Sequence, residues 1–143
     1  MPHIATPHSR RFVPIIAALA LFTAACSDGF PSRVPTGNWG GPHAGMVVTD
    51  VGADVEFDCG AARISAPMML DGHGDFDLPG QYIREGPGPI PADTSQIPKL
   101  AAEFTGHTNG KTMSLTMRAS DGSIAQQTYS LTYGGNPNVF KCL

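Results

Sequence analysis

Apolar and polar residues alternate over short runs through most of this chain, and the runs are separated by turn residues. Asp54 to Cys59 is the clearest case: Val55, Phe57 and Cys59 fall on one face, Asp54, Glu56 and Asp58 on the other. A period of two is the mark of a half-buried strand. His43 to Thr49 forms an earlier run, followed by a turn over 50–53. Ala62 to Ile64 and Met68 to Leu70 make a run broken at Pro67, which predicts an edge or a bulge. Asp71-Gly72-His73-Gly74 is the next turn, and Phe76 to Arg84 the next strand, interrupted near Pro79-Gly80.

Leu100 to His107 and Lys111 to Ala119 pair across Asn109-Gly110, the strongest hairpin signal present. Met113, Leu115 and Met117 face one way in the second arm, while Thr112, Ser114, Thr116 and Arg118 face the other. A further turn at Asp121-Gly122 leads into Ile124 to Tyr133, and a short strand over Val139 to Cys142 ends the chain. The pattern predicts an all-β domain over 38–143: one small antiparallel barrel of about eight strands, wound as a meander. Closure is the simplest way for such a sheet to lose its exposed edges.

Two segments break the pattern. Glu85 to Lys99 carries Pro87, Pro89, Pro91 and Pro98 around Ile90, with no periodicity. A loop of that length inside a compact domain is commonly a binding loop, so Glu85, Pro87, Pro89, Ile90, Pro91 and Lys99 are the candidate binding residues. The other is the N-terminus. Arg10 and Arg11 precede an uncharged stretch from Phe12 to Ala25, too short to span a bilayer as a helix. A basic start, a brief apolar segment and small residues before a cut describe an export signal over 1–25.

The junction Thr23-Ala24-Ala25-Cys26 resembles the lipobox of bacterial lipoproteins, whose cysteine is lipidated and becomes the first mature residue. The resemblance implies a lipid anchor on Cys26, attachment to the membrane of the cell envelope and a polar tether over 26–37. Ser27 after that cysteine, in place of Asp, implies the outer membrane, facing the periplasm, in a diderm cell. With Cys26 assigned to lipid, Cys59 and Cys142 remain as a pair in an oxidising compartment, where a disulfide is expected. Both sulfurs share a face with apolar neighbours, which predicts a bridge inside the core.

Without residues 1–25 the chain keeps 118 of its 143 residues, one domain's worth. Loss of Arg10 and Arg11 leaves seven basic against twelve acidic residues, a formal charge of −5. That balance, with no basic cluster after Cys26, argues against nucleic acid as the partner.

The set Gly37-Asn38-Trp39-Gly40-Gly41, Phe57-Asp58-Cys59-Gly60, Phe76-Asp77-Leu78-Pro79-Gly80 and Lys141-Cys142-Leu143 resembles a family of small uncharacterised bacterial lipoproteins. Gly37-x-Trp39 at the head of a meander is similar to the first strand of lipocalin-like and avidin-like barrels. Small barrel-shaped inhibitors of lysozymes and metalloproteases in bacterial envelopes share the size and a disulfide. These resemblances imply an envelope location and bring no activity with them.

Sites for chemistry are sparse. Asp71 to Asp77 alternates oxygen ligands, but a calcium loop needs Gly at its sixth position and Glu at its twelfth; Phe76 and Tyr82 stand there. Turn chemistry explains the segment better. His43, His73 and His107 lie far apart in sequence, and Met68, Met69, Met113 and Met117 read as core before copper ligands. No nucleophile elbow or phosphate loop occurs. The expectation is a non-enzymatic binding module without metal or cofactor, its partner an envelope protein or polymer. Alternatives are a small-molecule binder with a hollow barrel, or an inhibitor of a host lysozyme or protease.

Overall fold

The structure, a computed structural model, describes residues 31–86, 93 and 97–142. Residues 1–25, the expected export signal, Cys26, and Pro87, Pro89, Ile90 and Pro91 of the proline-rich loop lie outside the described residues. Eight strands follow one another: β1 (Gly37–Gly41), β2 (Ala44–Thr49), β3 (Gly52–Phe57), β4 (Gly60–Ile64), β5 (Asp75–Arg84), β6 (Leu100–Thr108), β7 (Thr112–Ala119) and β8 (Gln127–Tyr133). Each pairs antiparallel with the next, and β8 returns to β1, closing the barrel.

The alternation read from sequence sets which side chains point inward. Val55 and Phe57 of β3 are buried, and so are Met113, Leu115 and Met117 of β7. Trp39, Phe57, Phe104, Leu115, Met117 and Leu131 are all nearly inaccessible and fill the interior. Eight strands enclose room for side chains or one small ligand. Here the side chains take it. Each large apolar group so buried contributes about 1.5–3 kcal/mol toward offsetting chain entropy.

β5 runs unbroken through Pro79 and Gly80, against the expected interruption. β4 pairs with it only as far as Arg63↔Gln81, so Pro79 sits beyond the last of those pairs while opposite Glu103 of β6. Met68 to Leu70 forms no strand of its own. Its partner is the chain upstream of β1.

Residues 31–36 of the expected tether pack onto the barrel. The Val34 N–H donates to the Met68 carbonyl (2.9 Å), the Leu70 N–H donates to Ser32 (3.0 Å), and Arg33 bridges Met69. Val34 and Met68, each 1% exposed, plug the barrel at this entry end. The Trp39 indole N–H donates to the Pro35 carbonyl at 3.0 Å, tying the segment to β1. A lone apolar residue among Ser, Arg, Pro and Thr carries no period, which is why the sequence pattern missed it.

The last residues also depart from expectation. After Gly134 the chain runs up the outside of β1 and β2, over Gly40 and Gly45. A Cβ on Gly40 would meet the Gly135 carbonyl oxygen at 2.4 Å, and one on Gly45 would meet Pro137 at 2.5 Å. The strap continues with Asn138 bridging Pro42, and no strand forms over Val139 to Cys142. Phe140 is 59% exposed. The Cys59–Cys142 disulfide exists, with Cα atoms 4.9 Å apart, but it sits on the rim rather than in the core. Cys59 belongs to the tight β3–β4 turn, at φ 56°, not to the strand. The interior was already full, so the strap had only the outer face to cover.

Candidate functional site

Strand directions put the β1–β2, β3–β4, β5–β6 and β7–β8 connections at one end of the barrel, the far end, opposite Val34. Two two-residue turns stand side by side there: Pro42-His43 and Asp58-Cys59. Both hold a residue in the left-handed region, His43 at φ 64° and Cys59 at φ 56°. These are the two non-glycine residues so placed among those described, and such strain persists only where the surroundings enforce it.

The enforcement is visible. His43 Nδ1 lies 2.5 Å from Asp58 Oδ2, and the Asp58 N–H donates to the His43 carbonyl at 3.3 Å. The strap crosses both turns: the His43 N–H donates to Asn138, the Phe140 N–H to Asp58 Oδ1 at 2.8 Å, and the Cys59 N–H to the Phe140 carbonyl. Phe140 packs its ring 5.9 Å from that of His43. The disulfide then fastens the end of the strap. The Phe140 N–H is the main reason the Asp58 carboxyl is held below its usual value, with His43 adding to the effect.

Beside these turns the barrel wall is incomplete. β1 meets β8 through Trp39↔Tyr133 and Gly40↔Thr132 alone, because β1 stops at Gly41 and turns away. The first half of β8, from Gln127, therefore has β7 on one side and no strand on the other. A cleft of about 510 Å³ opens between that free edge, Gln127 to Ser130, and the wall formed by Pro42, His43 and Asp58. Tyr129 lines its floor, its ring tilted against that of Phe57 at 4.8 Å, and Tyr82 also packs against Phe57 at 6.1 Å. Burial pushes the phenols of Tyr129 and Tyr82 up from their ordinary values.

The expected loop emerges from the same rim. The Glu85 N–H donates to the Cys59 carbonyl (2.9 Å), and the Glu85 carboxylate faces Lys141 Nζ at 3.5 Å. Lys99, exposed, leads back into β6. Thus Glu85 joins the disulfide-locked turns, while the prolines and Ile90 lie outside the described residues. The other histidines sit elsewhere: His107 pairs with Asp75 at 2.9 Å on the outer wall, and His73 is exposed in the Asp71 turn. In that turn Asp71 Oδ1 accepts the N–H groups of His73 (2.8 Å) and Asp75 (2.9 Å), so the Asp71 carboxylate serves the backbone. No group of three or more His, Cys, Asp or Glu has metal-binding geometry among the described residues.

His43, Asp58 and Ser130 sharing a cleft invites comparison with a nucleophilic triad. Among the described residues no hydrogen bond joins the His43 ring to Ser130 or Thr128; its partner is Asp58. The pair locks two turns together. Sequence reading missed the cleft because His43 was assigned to a strand and Asp58 to a solvent face. Two short apolar runs ending in Gly41-Pro42-His43 and Asp58-Cys59-Gly60 carried the available signal, as paired hairpin turns.

No family model, curated protein or solved structure matches this chain.

Proposed function

We propose that this protein is a lipid-anchored binding module of the bacterial cell envelope, non-enzymatic, engaging an extended segment of another envelope protein at the far-end cleft. The observation that carries the reading is the free edge of β8 inside a cleft whose opposite wall is fixed by a disulfide. An unpaired edge offers a row of backbone donors and acceptors, and an extended peptide can add to it as a further strand. The flanking wall supplies His43, Asp58 and the exposed ring of Phe140 for side-chain recognition. A locked wall also lowers the ordering cost of association.

The filled interior argues against the alternative of a small-molecule barrel. An inhibitor of a lysozyme or protease is a second reading, favoured by one observation: Phe140 projects from a segment clamped by hydrogen bonds and a disulfide, as a wedge for another protein's groove would. The lipid anchor rests on the Cys26 junction. Ser130→Arg would fill the cleft from an exposed position with little effect on stability. Capture of a partner from envelope extract should be lost in Ser130→Arg and kept in Thr105→Arg, on β6, two strands away from the cleft edge. Equal capture by both variants would remove the cleft from the account.

A further inference from the structure

The packed N-terminal segment changes where the protein stands relative to the membrane. Only residues 27–30 separate Cys26 from Pro31, where the described domain begins. The five residue steps from Cys26 to Pro31 span at most about 18 Å when fully extended. The polar layer of a bilayer leaf is itself roughly 5–7 Å thick. A domain fastened at that distance keeps its entry end against the surface.

The entry end has an unusual composition for a solvent-facing rim. Val51 stands at the tip of the β2–β3 turn and is 71% exposed. Tips of such turns ordinarily carry Gly, Asn, Asp or Ser, and a β-branched apolar residue there breaks the local rule. Met69, 55% exposed, is at the same end of the barrel. The two are joined through Arg33, whose backbone bridges Met69 and whose guanidinium donates to Asp50 Oδ1 (3.0 Å) and to the Asp50 carbonyl (3.1 Å), one residue before Val51.

The charges on this end nearly cancel. Arg33 is paired with Asp50, Asp71 is engaged by backbone N–H groups, and exposed Lys111 stands on the β6–β7 hairpin beside Pro31. Apolar contact, rather than net charge, is what the surface has to offer.

We infer that the entry end of the barrel lies on a lipid bilayer, with Val51 and Met69 seated at the boundary between headgroups and acyl chains. The inference rests on the reading that Cys26 carries the lipid. Tethering makes the contact intramolecular, at an effective concentration on the order of millimolar, so two side chains suffice to bias orientation without anchoring the protein by themselves. The far-end cleft then faces away from the membrane, open to a partner.

The test uses the protein isolated from cells and reconstituted into phosphatidylcholine vesicles brominated along the acyl chains. Three variants report position: Val51→Trp and Met69→Trp at the entry end, and Ser123→Trp at the far end. Native Trp39 is 1% exposed and supplies a background measured in the unsubstituted protein. Residues seated about 5–10 Å into the boundary should lose roughly half their emission to the bromines. Ser123→Trp should lose none. Floating with the vesicles but without quenching at 51 and 69 overturns the inference and leaves the anchor intact. Failure to float overturns both. As a readout without new tryptophans, amine acylation at Lys111 should be slower than at Lys99 on vesicles, and Val51→Asp with Met69→Asp should restore it to the solution rate. Equal labelling of both lysines before that change also overturns the inference.

Discussion

Replacing both Cys59 and Cys142 with Ser removes a cross-link between residues 83 apart in sequence. On the chain-entropy relation, closing that loop restricts the unfolded ensemble by about 4.5 kcal/mol. The native side of the comparison is favourable for reading this number. Cys142 is exposed and Cys59 half-exposed, so the substitutions open no core cavity, and serine fits either site. The strap's hydrogen bonds at Asn138 and Phe140 can still form, though they must now hold the chain end unaided. The loss should therefore approach the entropic figure. With a urea m-value of about 1.3 kcal/mol per molar for a domain this size, the unfolding midpoint should fall by roughly 3 M. The assay is urea denaturation followed by Trp39 fluorescence, oxidised protein beside the double variant, with m compared between them. A midpoint shift under about 1 M with unchanged m would refute the reasoning, because the bridge would then constrain little that the strap does not already hold.

Three further outcomes follow from particular contacts. Val34→Ala should cost about 2 kcal/mol and lower the melting temperature by roughly 10 °C; a free tether would leave melting unchanged. The carboxyls of Asp58, Asp71 and Asp121 all titrate below their usual value, so the folded state binds their protons less tightly than the unfolded state. Their stabilisation is complete above the unfolded value of about 3.9 and is lost as pH falls through the lower folded values; the melting temperature should drop below pH 4, and less steeply in Asp58→Asn, which keeps an acceptor for the Phe140 N–H. An equal slope in that variant would remove Asp58 from the effect. Replacing residues 87–96 with a short Gly-Ser link should leave melting within about 2 °C, since loop closure depends weakly on length, and should weaken partner capture; a collapsed melt would make the loop structural.

The parts of the fold that sequence made legible are those governed by period two. Asp54 to Phe57 and Thr112 to Arg118 alternate in the structure as they do in the string, and Asn109-Gly110 turns the chain, with Asn109 Oδ1 accepting the N–H groups of Lys111 and Thr112. What escaped lacks a period. Val34 packs alone, Ile124 is buried from a loop ahead of β8, and the strap is recorded only as absence, in Gly40 and Gly45 having no side chain to collide with Pro137. Cys59 and Cys142 were paired correctly by compartment and count, yet their placement in the core was wrong. Parity extended two residues past the end of β3, into the turn that holds Cys59. The cleft was least legible, since it exists because β1 is shorter than β8, a difference of length that no local pattern encodes.

The most direct test of the account is a photo-crosslinking amino acid at Ser130, inside the cleft, compared in living cells with one at Thr105, two strands away on β6. The account predicts a discrete adduct with an envelope protein from position 130, abolished when Phe140→Ala weakens the facing wall, and none from position 105. Adducts of equal yield from both positions, or none from 130 while the protein remains folded and membrane-bound, would contradict it.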